Sequence, residues 1–391
     1  MVALLRSSSP PDSRGEGRDV SAIRRSWRRR RQTSRGGELS VAVAAVHDGA
    51  PERVTRRRAP MTPIRSPSVV FALALTALPL PPATPPTQAT APISPPAAAV
   101  APRVRLFLLA GQSNMQGQAV ADLDDPRDYN GGKGTLRHLL ADGERGRRWR
   151  HLVAADGSFS VRDDVFVVYR TDEELKAGPL SVGFGPYRGN HHFGPELALG
   201  HVLGERFAEP VVLVKTCWGG KSLAHDFLPP SADGPTGAYY TRMLDEFRAA
   251  VAALPATFPA LAGHSAELEG VVWFQGWNDG CDDAAAAAYE ENLVALIRDL
   301  RAEFGRPRLP FVVGETGNMD HAVLRAGQRK ACERPELGGG VRFVPTADFR
   351  RPAEQSPNTT HGHHWFGNAE SYLLIGEGLG QALADLVGGG G

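Results

Sequence analysis

Ser113 stands in a segment whose residue types suit nucleophilic chemistry. The segment Gly111 to Met115 (GQSNM) follows an apolar run, Val104 to Ala110, which has the length and bounding residues of a buried strand. A serine placed where a strand gives way to a helix can present its hydroxyl at the carboxyl edge of an open α/β sheet, where ligands bind. Ser113 is therefore the candidate nucleophile. The alternative is a polar turn in which Ser113 or Asn114 caps the helix.

Two later polar turns supply hydrogen-bond donors. Thr216 to Ser222 (TCWGGKS) and Gln275 to Asp279 (QGWND) each follow a predicted strand, so in a parallel sheet they share an edge with Ser113. Acyl transfer needs donors aimed at the oxygen that becomes negative in the tetrahedral intermediate. The candidates are the backbone N–H of Ser113, that of Gly220 with Gly219 as the neighbouring possibility, and the side-chain amide of Asn278. Each also fits a purely structural turn or helix cap.

A histidine cluster near the C-terminal end supplies a base, because a serine hydroxyl is a weak nucleophile until an imidazole takes its proton. The cluster is His361, His363 and His364. Clustered histidines also suit a metal site, but zinc needs a fourth ligand and no cysteine or second histidine pair is placed to provide it. We therefore predict neither a metal nor a cofactor.

The elements that must position these residues alternate between strand and helix. This pattern predicts an α/β fold in which helices cover both faces of a mostly parallel sheet. The predicted strands are Arg105 to Ala110, Val165 to Tyr169, Val211 to Lys215, Gly270 to Phe274, Pro310 to Val313 and Val341 to Pro345. The predicted helices are Pro195 to Phe207, Tyr239 to Leu254, Ala284 to Phe304, Ala322 to Glu333 and Ala369 to Leu386. Two long loops, at Asp122 to Arg162 and Leu175 to Phe193, are of the kind that carries substrate contacts or is disordered.

Charge is distributed unevenly along the 391 residues, whose formal net charge is +1. Residues 1–60 hold 14 Arg or Lys against 6 Asp or Glu, and the remainder holds 30 against 37. Phosphate binding depends on clustered cations, so nucleic acid is not expected as a partner of the acidic remainder. The apolar content of 42% is ample for the core of one large domain or two smaller ones.

The first hundred residues divide into three segments by composition. The composition of residues 1–60 predicts a disordered basic segment, and the alternative is an arm that binds nucleic acid. Residues 61–89 resemble a secretory signal, since Arg65 precedes an apolar stretch too short to span a bilayer, and this suggests that Met61 is the true start. Residues 90–102 are a Pro-rich linker, and residues 103–387 are the expected folded domain. We therefore expect a secreted or periplasmic protein without a stable membrane anchor.

The three cysteines are Cys217, Cys281 and Cys332. An odd number in an exported protein leaves at least one thiol unpaired. Because Cys217 and Cys281 follow strands whose ends flank the same sheet edge, a disulfide between them is conceivable, and the alternative is buried free thiols.

Together, the GQSNM, Gly219-Gly220, QGWND and histidine segments, in this order, resemble the SGNH hydrolases. Within that superfamily the chain is similar to the carbohydrate esterases related to sialate O-acetylesterase and plant-type acetylxylan esterase. The resemblance implies a three-layer, flavodoxin-like α/β/α sandwich and cofactor-free deacetylation of sugar hydroxyls. It implies Ser113 as nucleophile, Gly220 and Asn278 as oxyanion donors, and His364 as base. Glu196, in the segment Phe193 to Glu196 (FGPE), is implied to be structural.

The chain departs from these relatives at two positions. Trp277 stands where many relatives have Glu. His361 stands where the triad Asp is usual, three residues before the catalytic histidine, and from Arg103 onward no Asp or Glu precedes a histidine at that spacing. Asp348, which follows the last predicted strand, is the possible third triad member, with Glu354 the other nearby carboxylate. Asp348 could equally cap a loop, and the site could work as a dyad.

The function that we expect is therefore an exported serine esterase that removes O-acetyl groups from a polysaccharide or from sialic acid. The expected partner is the acetylated carbohydrate, with His361, Gln275 and Lys221 as the substrate-binding candidates. A lipase or thioesterase on the same scaffold is one alternative. The other is a carbohydrate-binding relative that has lost catalysis.

Overall fold

The computed structural model describes residues 101–389. The basic segment and the secretory signal expected before residue 90 lie outside the described residues, as does almost all of the Pro-rich linker. The strands are β1 (Arg103–Gly111), β2 (Ala119–Val120), β3 (Arg162–Arg170), β4 (Leu175–Leu180), β5 (His192–Phe193), β6 (Val211–Cys217), β7 (Ser265–Phe274), β8 (Phe311–Gly314) and β9 (Val341–Val344). The α-helices are α1 (Ser113–Gln116), α2 (Leu136–Ala141), α3 (Glu196–Arg206), α4 (Ala238–Thr257), α5 (Asp283–Glu303), α6 (Ala322–Cys332) and α7 (Ala369–Gly388).

Seven strands form one sheet in the order β4-β3-β6-β1-β7-β8-β9. All neighbouring pairs from β3 to β9 in that order are parallel, and only β4 runs antiparallel, to β3. This confirms the predicted mostly parallel sheet, and each predicted strand and helix is present with shifted ends. The largest shift is in β7, which begins at Ser265, whereas the predicted strand begins at Gly270. The first three residues of β7 are exposed and lack an apolar pattern, so the sequence does not reveal them as part of the strand.

Two hydrophobic cores lie on opposite faces of this sheet. In β1, Phe107 and Leu109 point into a core shared with α3 and α7, whereas Leu106 and Leu108 point into one shared with α4, α5 and α6. Strand side chains alternate between faces, so an apolar run such as β1 must be covered on both. The three-layer α/β/α architecture is therefore confirmed.

The two predicted loops contain structure that the sequence pattern did not reveal. The first includes α2 and helical turns that bury Leu136, Trp149 and Leu152 in the α3–α7 core. The second includes the edge strand β4, whose Gly178 and Pro179 disfavour a strand by propensity. Proline is tolerated there because an edge strand has one side without ladder partners.

Cys217 is buried and is a free thiol, so the disulfide with Cys281 considered above is not formed. Burial raises the pKa of the Cys217 thiol to about 12. None of the helices between residues 101 and 389 is long and apolar enough to cross a membrane.

Candidate active site

Ser113 is the first residue of α1, directly after the end of the central strand β1. It is 7% exposed, and its carbonyl oxygen accepts hydrogen bonds from the backbone N–H of Gly117 (3.1 Å) and from Nε2 of Gln118 (3.3 Å). The turn before it needs Gly111, since a Cβ there would lie 2.2 Å from the carbonyl oxygen of Phe274. This close approach brings the end of β1 beside the end of β7.

Residues 275–279 follow β7 and form a turn that Gln112 fixes. Because this turn carries the candidate oxyanion donor Asn278, we call it the oxyanion turn. Oε1 of Gln112 accepts from the backbone N–H groups of Gly276 (3.0 Å) and Asn278 (3.4 Å), and its Nε2 donates to Oδ1 of Asn278 (3.3 Å). Nδ2 of Asn278 donates to the carbonyl oxygen of Gly220 (2.7 Å). Within the described part of the chain, Asn278 Nδ2 makes no second bond, so one of its two hydrogens is available for a ligand.

The Gly219-Gly220 turn borders the serine. A Cβ added to Gly219 would lie 3.9 Å from Cβ of Ser113 and 3.2 Å from Oε1 of Gln116, whereas one added to Gly220 would meet nothing within 4 Å. Gly220 has a φ of +70°, which favours glycine. The absence of side chains at both positions leaves the space beside Ser113 open.

Asp279 joins this glycine turn to the oxyanion turn. Its buried carboxylate accepts from the backbone N–H groups of Leu223 (2.9 Å) and Ala224 (2.9 Å) and from the amide of Gln275. Burial raises the pKa of Asp279, and these hydrogen bonds oppose that rise. Asp279 therefore fixes the relative position of the two turns and does not face a ligand.

Gln275, which the sequence predicts to bind substrate, lies inside the fold. Gln275 is 2% exposed, its NH₂ donates to the carbonyl oxygen of Lys221 (3.0 Å), and its Oε1 accepts from the hydroxyl of Tyr289 (2.8 Å). Its polar atoms are thus used inside the fold. Lys221 remains a prediction: its Nζ lies 3.4 Å from Oδ1 of Asp226 and 4.2 Å from the ring centre of Tyr239, and it is partly exposed.

Residues 361–367 form the histidine segment, which side chains from elsewhere hold by its backbone. Nδ2 of Asn114 donates to the carbonyl oxygen of His363 (3.1 Å), and Nδ2 of Asn318 donates to those of Gly362 (3.2 Å) and His363 (3.0 Å). Oδ1 of Asn114 accepts from the buried hydroxyl of Tyr372 (2.8 Å), which orients it. Since Asn114 follows Ser113, these bonds hold the histidine segment beside the turn that carries Ser113.

The conformation of this segment is strained. Trp365 and Phe366 have φ values of +53° and +55°, in the left-handed region that costs energy for residues other than glycine. Backbone hydrogen bonds hold the turn: Phe366 N–H donates to the carbonyl oxygen of His361 (3.0 Å), and Asn368 N–H to that of Trp365 (3.0 Å). The turn fixes the direction in which His364 leaves the backbone.

The three imidazoles of the segment lie together. The ring centres of His363 and His364 are 4.1 Å apart, that of His361 lies 5.5 and 6.4 Å from them, and Trp277 lies 5.9 Å from His363. Burial, reinforced by His363 and His361, lowers the pKa of His364 to about 3, so its imidazole is uncharged at neutral pH. His361 is the exposed member of the three.

One family model spans all of the segments described above. The family model described as "Carbohydrate esterase, sialic acid-specific acetylesterase" matches residues 103–373. The chain belongs to this family. Among solved structures, a protein of Arabidopsis thaliana shares 18% identity over 72% of this chain and 98% of that one, with a TM-score of 0.46. A carbohydrate acetylesterase of Xanthomonas citri shares 17% identity over 73% of this chain and 57% of that one, with a TM-score of 0.43. No curated protein matches.

Asp348, the candidate third triad member, lies in the turn that follows β9. After β9 the chain is turned by the buried carboxylate of Glu315, which accepts from the backbone N–H groups of Thr346 (2.8 Å) and Ala347 (3.1 Å). Asp348 is left exposed on the surface and makes no side-chain contact with His364. In residues 101–389, no carboxylate forms a hydrogen bond or ion pair with His364, so the third triad member stays a prediction without support from a side-chain bond.

The esterase site also contains positioning residues that the sequence analysis missed, namely Gln112, Asn114 and Asn318. Gln112 and Asn114 flank Ser113, so their place in the GQSNM segment was a usable signal. Asn318 follows β8 as part of another polar turn at the same sheet edge. Beneath α1, the buried pair of Lys215 and Glu196 (2.8 Å) supports the helix, because Nζ of Lys215 also donates to the carbonyl oxygen of Gln116 (2.9 Å).

A cavity of about 780 Å³ lies between residues 224–233 and α5. Alanine side chains and charged groups line it, and Ser113, Asn278 and His364 do not. It is therefore separate from the candidate catalytic centre.

Proposed function

We propose that the protein is a serine esterase that removes O-acetyl groups from carbohydrate. The observation that carries this proposal is that the two neighbours of Ser113 reach to the two other segments that the chemistry needs. Gln112 holds Asn278 of the oxyanion turn, and Asn114 holds the carbonyl of His363 in the histidine segment. Membership in the carbohydrate esterase family supplies the substrate class.

In the first half-reaction, Oγ of Ser113 attacks the carbonyl carbon of the acetyl ester while the hydroxyl proton passes to the imidazole of His364. The electron pair of the C=O bond moves to oxygen. The N–H groups of Ser113 and Gly220 and the available amide hydrogen of Asn278 stabilise the resulting charge. Collapse of this intermediate breaks the bond to the sugar oxygen, which takes the proton from His364 and leaves an acetyl ester on Ser113.

In the second half-reaction, a water molecule gives a proton to His364 and its oxygen attacks the acetyl-serine. The second tetrahedral intermediate uses the same donors. Its collapse returns the proton from His364 to Oγ of Ser113 and releases acetic acid. Because no carboxylate among residues 101–389 bonds to His364, we propose a dyad in which the backbone turn, rather than an acidic side chain, orients the imidazole.

The test is hydrolysis of triacetin and of an O-acetylated methyl pyranoside by the full chain and by Ser113→Ala. We expect the variant to keep its fold, checked by circular dichroism, and to lose nearly all turnover. Residual activity within about tenfold of wild type, a barrier difference of only ~1.4 kcal/mol, contradicts the assignment of Ser113 as the nucleophile. Absence of turnover in the wild-type protein on both esters supports the binding-protein alternative.

Chain-length preference separates this proposal from the lipase or thioesterase alternative. We expect acetate esters to be hydrolysed much faster than octanoate esters of the same alcohol. The reverse order assigns the scaffold to longer acyl chains.

We further propose that residues 61–89 direct export and are removed. Intact-mass measurement on secreted protein should give a chain that begins near residue 90, and deletion of residues 1–60 should leave secretion unchanged. A secreted chain that retains Met1 contradicts this.

A further inference from the structure

Tyr187 is an exposed aromatic residue that is connected to the nucleophile. Its side chain is 49% exposed, yet its hydroxyl donates to Oε1 of Gln118 at 2.7 Å. Gln118 is buried, and its Nε2 donates to the carbonyl oxygen of Ser113 at 3.3 Å. One side chain therefore separates the Tyr187 hydroxyl from the residue that attacks the ester.

The loop that carries Tyr187 is held in place before any ligand arrives. Nζ of Lys176, on β4, donates to the carbonyl oxygens of Gly183 (2.9 Å), Tyr187 (2.5 Å) and Gly189 (3.3 Å). The ring of His192 lies 4.7 Å from the Tyr187 ring and supports it. The hydroxyl, the backbone and the ring of Tyr187 are therefore all held in place. An exposed aromatic residue held in this way loses little conformational entropy when it binds a ligand.

We propose that Tyr187 is a sugar-binding platform, on which the pyranose ring of the acetylated substrate packs while its acetyl group lies at Ser113. This rests on the proposed esterase function and adds to it the residue that selects a sugar. The C–H groups on a pyranose face are apolar and pack well on an aromatic ring, and the sugar hydroxyls at the rim stay in water.

The surroundings of Tyr187 favour a sugar over an acyl chain. The loop from Ser181 to His191 (SVGFGPYRGNH) is rich in glycine and polar residues, and Tyr187 is its one exposed large apolar side chain. Arg188 beside it is paired with Glu173. An acyl chain needs a continuous apolar groove, whereas a sugar needs one aromatic face with polar groups around it.

The experiment compares Tyr187→Ala, Tyr187→Phe and wild type on an O-acetylated methyl pyranoside, on O-acetylated sialic acid and on triacetin, which has no ring. We expect Tyr187→Ala to lower the ratio of sugar-ester to triacetin kcat/KM by about tenfold, through KM. Tyr187→Phe, which keeps the ring, should retain most of that ratio. Leu175→Ala, which removes another exposed apolar side chain (47% exposed) without a link to Ser113, is the matched control and should leave the ratio unchanged.

An equal loss on all three esters in Tyr187→Ala overturns the proposal, because it indicates a purely structural role. An unchanged ratio overturns it as well. Both outcomes leave the esterase function standing if Ser113 is still required for turnover. Failure of the esterase function has a different signature, namely no turnover of any of the three esters by wild type.

Discussion

The oxyanion turn and the histidine segment lie at the same sheet edge but are fixed by different contacts. In the oxyanion turn, the functional side chain itself is bonded: Asn278 accepts from Gln112 and donates to Gly220. In the histidine segment, only the backbone is bonded, through carbonyl groups held by Asn114 and Asn318. The imidazoles contact one another, His363 also contacts Trp277, and no carboxylate in residues 101–389 bonds to His364.

This difference indicates how the Asn278 amide and the His364 imidazole are each oriented. The donor at Asn278 is oriented by hydrogen bonds that define both ends of its amide, so it is preorganised for charge. The proposed base, His364, is oriented by a strained left-handed turn and by packing, and burial lowers its pKa to about 3, which disfavours the imidazolium. We therefore expect the oxyanion side to be efficient and the proton transfer to limit the rate.

The largest expected effect is that of removing the base. His364→Ala should lower kcat by about 10⁴-fold, because in the proposed mechanism it removes the imidazole that takes the Ser113 proton. His361→Ala should mainly raise KM, since His361 is the exposed ring of the cluster. Steady-state kinetics of the two variants check the assignment. An inactive His361→Ala beside an active His364→Ala shows that the wrong histidine has been chosen.

A smaller effect is expected on the oxyanion side. Asn278→Ala should lower kcat by roughly 10² to 10³ with little change in KM, because its amide binds charge that exists only in the transition state. Asn278→Asp, which keeps the shape and cannot donate, is the matched control and should be at least as slow. A raised KM with an unchanged kcat makes Asn278 a substrate-binding residue.

The fold could be predicted from the sequence where the physical signal is local. β1, β6 and the end of β7 are continuous apolar runs because both faces of a parallel sheet are covered, and such runs are visible in a single sequence. β4 could not be predicted, since Leu175–Leu180 contains glycine and proline and is a strand only because β3 offers it an edge. Its formation depends on tertiary contacts that no local pattern encodes.

The same distinction applies to the site. Ser113, Asn278 and His364 come from short segments at strand or helix ends, and the structure brings those segments together. For Gln275, a strand-end position does not reveal that its side-chain amide bonds to Tyr289 and to the Lys221 carbonyl inside the fold. For Asp348, a strand-end position does not reveal the turn that Glu315 sets, because that turn depends on a contact between residues 31 positions apart.

Adding the missing acid should sharpen the contrast between the two sides. His361→Asp places a carboxylate three residues before His364, in the turn where the His364 N–H donates to the carbonyl oxygen of residue 361 (2.9 Å). The new charge should raise the pKa of His364 and increase kcat at pH 7 by about tenfold, a barrier decrease of ~1.4 kcal/mol. His361→Asn has the same shape without the charge. Equal kcat values and pH profiles for the two variants contradict the idea that an acid is what His364 lacks.

The smallest expected effect is on stability. Acidification should reduce the contribution of His364 to the stability of the fold and should favour that of Asp279. The folded-state pKa of His364 is about 3, below its unfolded value, so the stability linked to its neutral form is present above pH ~6.5 and is lost as pH falls toward 3. The pKa of Asp279 is raised, so its contribution favours the fold at low pH and is lost as pH rises through that pKa.

Thermal melts of wild type, His364→Gln and Asp279→Asn at pH 7.5 and 4.5 separate the two contributions. In wild type, Tm should fall on acidification, helped by His192 and His201, whose pKa values burial lowers to about 4. His364→Gln removes one of these groups, so its Tm should fall by less between the two pH values. Asp279→Asn removes a group that favours the acid state, so its Tm should fall by at least as much as in wild type. If His364→Gln loses as much Tm as wild type, His364 is not held neutral by burial, and the histidine segment then differs from the oxyanion turn only in its bonding.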